Sequence, residues 1–214
     1  TSNSNSGSAT QYVLDMDDSI SCHVENNIFN STDFRCAWFD YCHNYESINN
    51  VYHGVSGWFH VTLNYCNDTS FESDILMNGY IELRFFDCFD ATLSGLEISL
   101  MGAGVLFDNS PDSMISESTM IVTDEYGVYI TGSDNVEVSG CTITRASTPC
   151  NTCRIHSLYS ERPTITDHTL INFDKFAVFP SGAAHNTVHT QQITGNHAPG
   201  SSPADTQVDE VSPI

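Results

Sequence analysis

Asn44, Asp68, Asp90, Asp112 and Asn135 recur at intervals of 24, 22, 22 and 23 residues along a chain of 214. Carboxylates brought into one line by such a period are the groups a glycosidase uses as acid and base, and a Ca²⁺-assisted polysaccharide lyase uses as metal ligands. The same residue types favour tight turns, because their short side chains bond nearby backbone and tolerate left-handed conformation. Asp68, Asp90 and Asp112 are therefore candidates for catalysis and for Ca²⁺, and equally candidates for turn residues. Like charges one strand apart repel by roughly 1 kcal/mol even in water, so cations are expected to gather along the row.

A row of this kind needs a repeating scaffold. In "GVYITGSDNVEVSGCTITRA", residues 127–146, Val128 and Ile130, then Val136 and Val138, then Ile143 mark three very short strands with almost no helix formers between them. With Ser133 as a reference column, equivalents stand at Cys42, Cys66, Cys88, Ser110 and Ser160. Five positions before it come Ala37, Val61, Leu83, Val105, Val128 and Ile155, and three before it Phe39, Leu63, Phe85, Phe107 and Ile130. Five after it come Phe71, Leu93, Ile115, Val138 and Ile165, with the first unit slipped by one to Ile48; ten after it come Tyr52, Leu76, Ile98, Met120, Ile143 and Leu170. Four apolar columns are thus expected to face one interior, each unit burying a face it cannot bury alone.

A unit of about 22 residues with three short strands resembles one coil of a right-handed parallel β-helix of the pectin-lyase-like superfamily, in particular the NosD-type carbohydrate-binding repeats. The stretch "GVYITGSDNVEVSGCTI" carries the likeness, which extends over residues 37–172. The resemblance implies an all-β solenoid of about eight coils, with an extended polar tail at 1–14, the coil domain at 15–194 and a second extended tail at 195–214. Pectin-cleaving hydrolases of this fold use paired aspartates, Gly-His-Gly and Arg-Ile-Lys along one face. Here Asp17-Asp18, Tyr52-His53-Gly54 and Arg154-Ile155-His156 are partial matches separated by the wrong numbers of coils. The related lyases set a basic residue beside their acids, and only six Lys and Arg exist. The resemblance therefore favours a non-catalytic role. The alternative is a carbohydrate-active β-helix, a tailspike-like depolymerase or glycan-binding module; as an enzyme it would be a polysaccharide hydrolase or lyase.

A net charge of −21 opposes binding to nucleic acid or an anionic membrane, and no apolar run approaches the roughly 18 residues of a membrane span. Eight cysteines point to an oxidising, extracellular setting, a cell or virion surface included. Cys42, Cys66 and Cys88 share a column of strands about 4.8 Å apart, within the Cα separation a disulfide tolerates, so one inter-coil bridge is expected. The competing arrangement is a ladder of buried free thiols. Cys150 and Cys153 suit a local disulfide; with His185 and His189 they also make a loose zinc-like spacing. Asn30-Ser31-Thr32 and Asn67-Asp68-Thr69 are glycosylation sequons. The chain opens on Thr1 without Met, as a processed product or a piece of a longer protein does.

Trp38 stands in an outward column with Thr62, Arg84, Leu106, Tyr129 and His156. Trp38 and Tyr129 are candidates for stacking on sugars; the competing reading is that another subunit covers this face or that wide early coils need bulk. The tails, "TSNSNSGSAT" and "GNHAPGSSPADTQVDEVSPI", have the composition of disordered linkers. A solenoid also leaves open strand edges at its ends. Both point to further copies of the chain as partners, in a homo-oligomer or filament whose tails lie on a neighbour, with polysaccharide as the alternative partner and Ca²⁺ the one cofactor in view.

Overall fold

Alternating apolar residues in runs of three or four make strands, and a left-handed residue at each corner turns the chain to the next. In the computed structural model the described residues are 4–7, 13–31, 35–54, 61–78, 81–123, 126–146, 155–171, 178–181 and 187–194. A leading strand, β1 (Ser4–Gly7), precedes a first coil of β2 (Leu14–Asp17), β3 (His23–Glu25) and β4 (Ile28–Ser31). The second coil repeats the pattern as β5 (Ala37–Asp40), β6 (Glu46–Ile48) and β7 (Val51–His53). Its corners turn at Tyr41, Asn44 and Asn49, with φ of 52°, 53° and 53°. Every strand pairs in parallel with its equivalent one coil away.

The first face is an eight-stranded sheet from β2 to Val178–Ser181. The second and third faces join where the seventh coil runs its last two strands as one, Thr164–Ile171. Six coils carry three separate strands, slightly fewer than the count of about eight coils expected; Val178–Ser181 and Thr187–Thr194 add a partial eighth. The architecture is the right-handed parallel β-helix that the repeat implied.

The inward columns stack as the spacing predicts. Ala37, Val61, Leu83, Val105 and Val128 pair in sequence and are buried, and Phe39, Leu63, Phe85, Phe107 and Ile130 form the column beside them. Phe85 and Phe107 stack with centroids 5.4 Å apart. One expectation is corrected: Ser47, not Ile48, pairs with Phe71, so the register has no slip. Tyr45 and Tyr52 fill the space, and the Ser47 hydroxyl meets the Tyr52 hydroxyl at 2.9 Å.

The reference column has a role that apolar spacing did not show. Cys42 N–H donates to Cys66 Sγ (3.3 Å), Cys66 N–H to Cys88 Sγ (3.4 Å), Cys88 N–H to Ser110 Oγ (3.1 Å), Ser110 N–H to Ser133 Oγ (2.7 Å) and Ser133 N–H to Ser160 Oγ (3.0 Å). Each side chain donates in turn to the carbonyl two residues before it, as Ser133 Oγ does to Thr131 O at 2.9 Å. The corner thus satisfies backbone groups that strand pairing leaves over.

This ladder corrects the expected disulfide. Cys42, Cys66 and Cys88 are free thiols, as are Cys22 and Cys141. Residues stacked in register keep parallel Cα–Cβ bonds, which holds their Cβ atoms near the strand spacing of about 4.8 Å; a disulfide needs roughly 3.5–4.5 Å. Burial pushes Cys42 and Cys141 up to about 11. Cys66 is raised further, by the neighbouring Cys88 first and burial second. Few thiolates are left at neutral pH to attack an oxidant. Cys150 and Cys153 lie outside the described residues.

Ser4–Gly7, within the expected N-terminal tail, pairs with β4 of its own chain. The segment 195–214 lies outside the described residues.

One carboxyl enters the early coils. Asp74 is buried and accepts the Asn50 backbone N–H at 2.6 Å. Desolvation lifts it to about 6. Because its folded pKa lies above the unfolded value, its contribution is fully present below pH 3.8 and is lost as the pH rises through about 6. Asp74→Asn should therefore gain on the order of 1–3 kcal/mol at pH 8 and nothing below pH 4. Phe107→Ala should lose about 3–5 kcal/mol at either pH. Urea unfolding at the two pH values measures both.

Candidate functional site

The candidate row lies on the corner after the first face. Asn44, Asp68, Asp90, Asp112 and Asn135 hold φ of 53°, 52°, 56°, 55° and 57°, and all five are exposed. Their residue type is explained by this left-handed backbone, which Asn and Asp adopt at less cost than other side chains. Asn135 Nδ2 donates to Asp112 Oδ1 at 2.7 Å, and Arg162 Nε donates to Asn135 Oδ1 at 2.8 Å. A parallel row one corner position earlier brings Asn109 Nδ2 to Asp87 Oδ1. Polar side chains here run along the coil axis, bonding rung to rung.

The partial hydrolase motifs do not converge. Asp17 is on the edge of the first face, while His53 is on the third face, 2.9 Å from Asn78 Nδ2. Tyr52 points inward and is buried, and Arg154 lies outside the described residues. Among the described residues no three His, Cys, Asp or Glu side chains are grouped to hold a metal ion, Asp68, Asp90 and Asp112 included. Of the zinc-like spacing, His185 and both cysteines fall outside the described residues.

The outer side of the first face carries the aromatic column. Trp38, Thr62, Arg84, Leu106, Tyr129 and His156 are in register, as expected. Neither sugar-stacking candidate offers an open ring. The Arg35 guanidinium sits 4.2 Å over Trp38, whose Nε1 donates to Asp40 at 2.7 Å. Tyr129 packs against Tyr126 and His156 with centroids 4.9 and 5.1 Å away. Arg84 pairs with Asp108 at 2.9 Å and lies over Phe86.

The exposed rings stand on the corner, where sequence reasoning did not place them. Tyr41 and Tyr65 are 50% and 42% exposed but stack on each other, 5.0 Å apart and within 10° of parallel. Tyr159 is 73% exposed. The rung before it is Gly132, where an added Cβ would meet nothing within 4 Å, so the space beside Tyr159 is empty. The signal in the sequence was the glycine one coil before a tyrosine in the same column. Of the sequons, Asn30 lies within β4 and Asn67 is half-buried on the corner, its Oδ1 enclosed.

A parallel β-solenoid with polar ladders on its corners is the class these features define. The family model for NosD, described as periplasmic copper-binding protein, matches residues 1–197, and the chain belongs to that family. No curated protein matches it. Among solved structures, HetL, a pentapeptide repeat protein involved in heterocyst differentiation regulation from the cyanobacterium Nostoc sp. strain PCC 7120, aligns at 6% identity over 77% of this chain and 87% of its own. Its TM-score of 0.17 bears on neither fold nor function. The described residues do not fit a copper site. The thiols of Cys42, Cys66 and Cys88, the soft ligands such an ion prefers, are turned to backbone carbonyls, and those of Cys42 and Cys66 hold their protons tightly.

If the aspartate row is there for its backbone, Asp90→Gly should fold with stability unchanged within about 0.5 kcal/mol, whereas Asp90→Val should lose about 1–2 kcal/mol. Thermal unfolding of the two variants checks the pair.

Proposed function

We propose that the chain is an extracytoplasmic, non-catalytic structural β-solenoid that associates with further copies of itself, as suits a surface or virion appendage. The family's periplasmic description supports the location. The observation that carries self-association is the rim of the first coil. Val13, Leu14, Met16, Cys22 and Val24 continue the inward columns but are only partly buried. Among the described residues no strand pairs with the outer edge of β2 or β3. Apolar columns ending beside unpaired strand edges attract another strand layer.

A second reading, glycan binding, is supported by Tyr159. An exposed ring next to an empty rung has room for a sugar ring, with Asn109 two coils away, about 9.6 Å at the strand spacing. The surrounding acids would disfavour uronic acid polymers.

Sedimentation velocity across a wide concentration range, with an assay for polysaccharide cleavage on neutral and acidic polymers, tests the first reading. Concentration-dependent assembly without cleavage is expected; a chain that stays monomeric and releases oligosaccharides would reject it. For the second reading, Tyr159→Ala should abolish retardation in a neutral polysaccharide gel, while Trp38→Phe should leave it unchanged.

A further inference from the structure

The corner after the first face changes character along its length. In the first four coils it is formed by residues 17–21, 40–44, 64–68 and 86–90, which contain no Lys or Arg. Ile20 and Phe89, 70% and 45% exposed, join Tyr41 and Tyr65 as large apolar groups open to solvent on successive coils. Such a run marks a contact surface. Register fixes what stands beside each. Asp18, Tyr41, Tyr65 and Asp87 share one column, each N–H bonding to a carbonyl of the coil that follows. Ile20, His43, Asn67 and Phe89 share the next outward column.

Two niches result, each a ring beside a carboxylate. Tyr41 and Tyr65 stack and close one face of each other. The far face of Tyr41 is turned to the rung of Asp18, which is exposed. Two coils beyond Tyr41, Phe89 borders Asp90, its neighbour in the chain, and Asp68, whose N–H bonds to Phe89 O at 3.0 Å. The first face shows what such a niche holds. There the Arg84 guanidinium lies 5.0 Å over Phe86 and pairs with Asp108 at 2.9 Å. Likewise the Arg35 guanidinium lies 4.2 Å over Trp38, which is itself bonded to Asp40. In both cases an aromatic ring with an aspartate at its side receives an arginine. The corner offers the same combination and has no arginine of its own in these coils.

We infer that this corner docks an extended, arginine-bearing segment of a partner protein, with one guanidinium on Tyr41 beside Asp18 and a second on Phe89 between Asp68 and Asp90. Charge selects the occupant. A second copy, with a net charge of −21 and six Lys and Arg in all, would bring acids against acids. A neutral sugar would gain nothing from the charge of the carboxylates. Arginine suits the niches better than lysine because its guanidinium is flat, weakly hydrated and stacks on rings. Spacing selects the pattern. The niches stand about two and a half strand spacings apart along the axis, about 12 Å, and residues i and i+4 of an extended segment share a face about 13 Å apart. Arg-x-x-x-Arg is the repeat that fits. The inference does not depend on the self-association proposed above, since it uses side chains outside the corner and not strand edges.

Fluorescence anisotropy with two labelled peptides of equal charge, three repeats of Arg-Ser-Gly-Ser and three of Lys-Ser-Gly-Ser, tests this on the full chain at about 0.15 M salt. The arginine peptide should bind roughly fivefold more tightly than the lysine peptide. Tyr41→Asn with Phe89→Ser should remove that preference; asparagine keeps the left-handed backbone that Tyr41 holds at φ 52°. Asp18→Asn, Asp68→Asn and Asp90→Asn together should weaken the arginine peptide roughly tenfold, whereas Glu72→Gln, Glu97→Gln and Glu137→Gln, which remove the same charge from the other two faces, should change it less than about twofold. Should the ring variant lose its far-UV signal, the two charge sets decide alone. Equal binding of both peptides, or equal loss in both charge sets, would mean diffuse attraction to an acidic protein and would overturn the inference, as would no binding at all. Binding of a neutral oligosaccharide that Tyr41→Asn abolishes, with the arginine peptide unbound, would give the corner to glycans instead. Self-assembly of the chain that fails in the aspartate set would give it to a second copy.

Discussion

The structure depends on keeping successive coils in register, and the corner ladder is the interaction that does so. Strand pairing alone fixes spacing but not which residue follows which around a corner. At the reference column a thiol or hydroxyl accepts the N–H of the coil before it and donates to a carbonyl of its own coil, from Cys66 to Ser160. A second corner does the same with other chemistry: Asn27 N–H bonds to Asn50 Oδ1, Leu96 N–H to Ser118 Oγ, and Cys141 N–H to His168 Nδ1. Each such bond contributes only about 1 kcal/mol net, yet an unmade one would leave a buried donor at greater cost. Small polar side chains at buried corners are therefore as much a part of this core as Phe107 or Leu83.

How much of this was legible in the sequence follows from what each pattern encodes. Apolar spacing reports burial, so the columns through Val105 and Phe107 could be read directly. It fails where a polar residue takes an inward position with its own partners, which is why Ser47, bonded to Tyr52, was passed over for Ile48. The spacing of Cys42, Cys66 and Cys88 reports that they stack in one column but says nothing of the direction of the Cβ bonds, and direction decides whether sulfurs can join. Exposure is harder still. Trp38 and Tyr129 were correctly placed on an outward column, but Arg35 and Tyr126 cover them. Tyr159 became conspicuous only once Gly132 was seen as the empty rung before it.

The same logic separates structural from chemical roles in the acidic residues. Asp68, Asp90 and Asp112 sit where the backbone turns left-handed, and that requirement accounts for their residue type without any reaction. With a net charge of −21, the surface repels itself and other polyanions. Neutral amide rungs relieve part of that repulsion, as Asn135 does for Asp112 and Asn109 for Asp87. A coil of this kind holds its shape by short-range pairing along the axis against a long-range electrostatic cost.

The most direct test of the ladder is the state of its sulfurs. Alkylating the protein in denaturant without reductant, followed by peptide mass spectrometry, should find Cys42, Cys66 and Cys88 fully alkylated, and the same reagent should leave them unmodified in the folded protein. A disulfide between any two of the three would contradict the account, because it would mean that covalent bonds, and not hydrogen bonds from coil to coil, hold this corner in register.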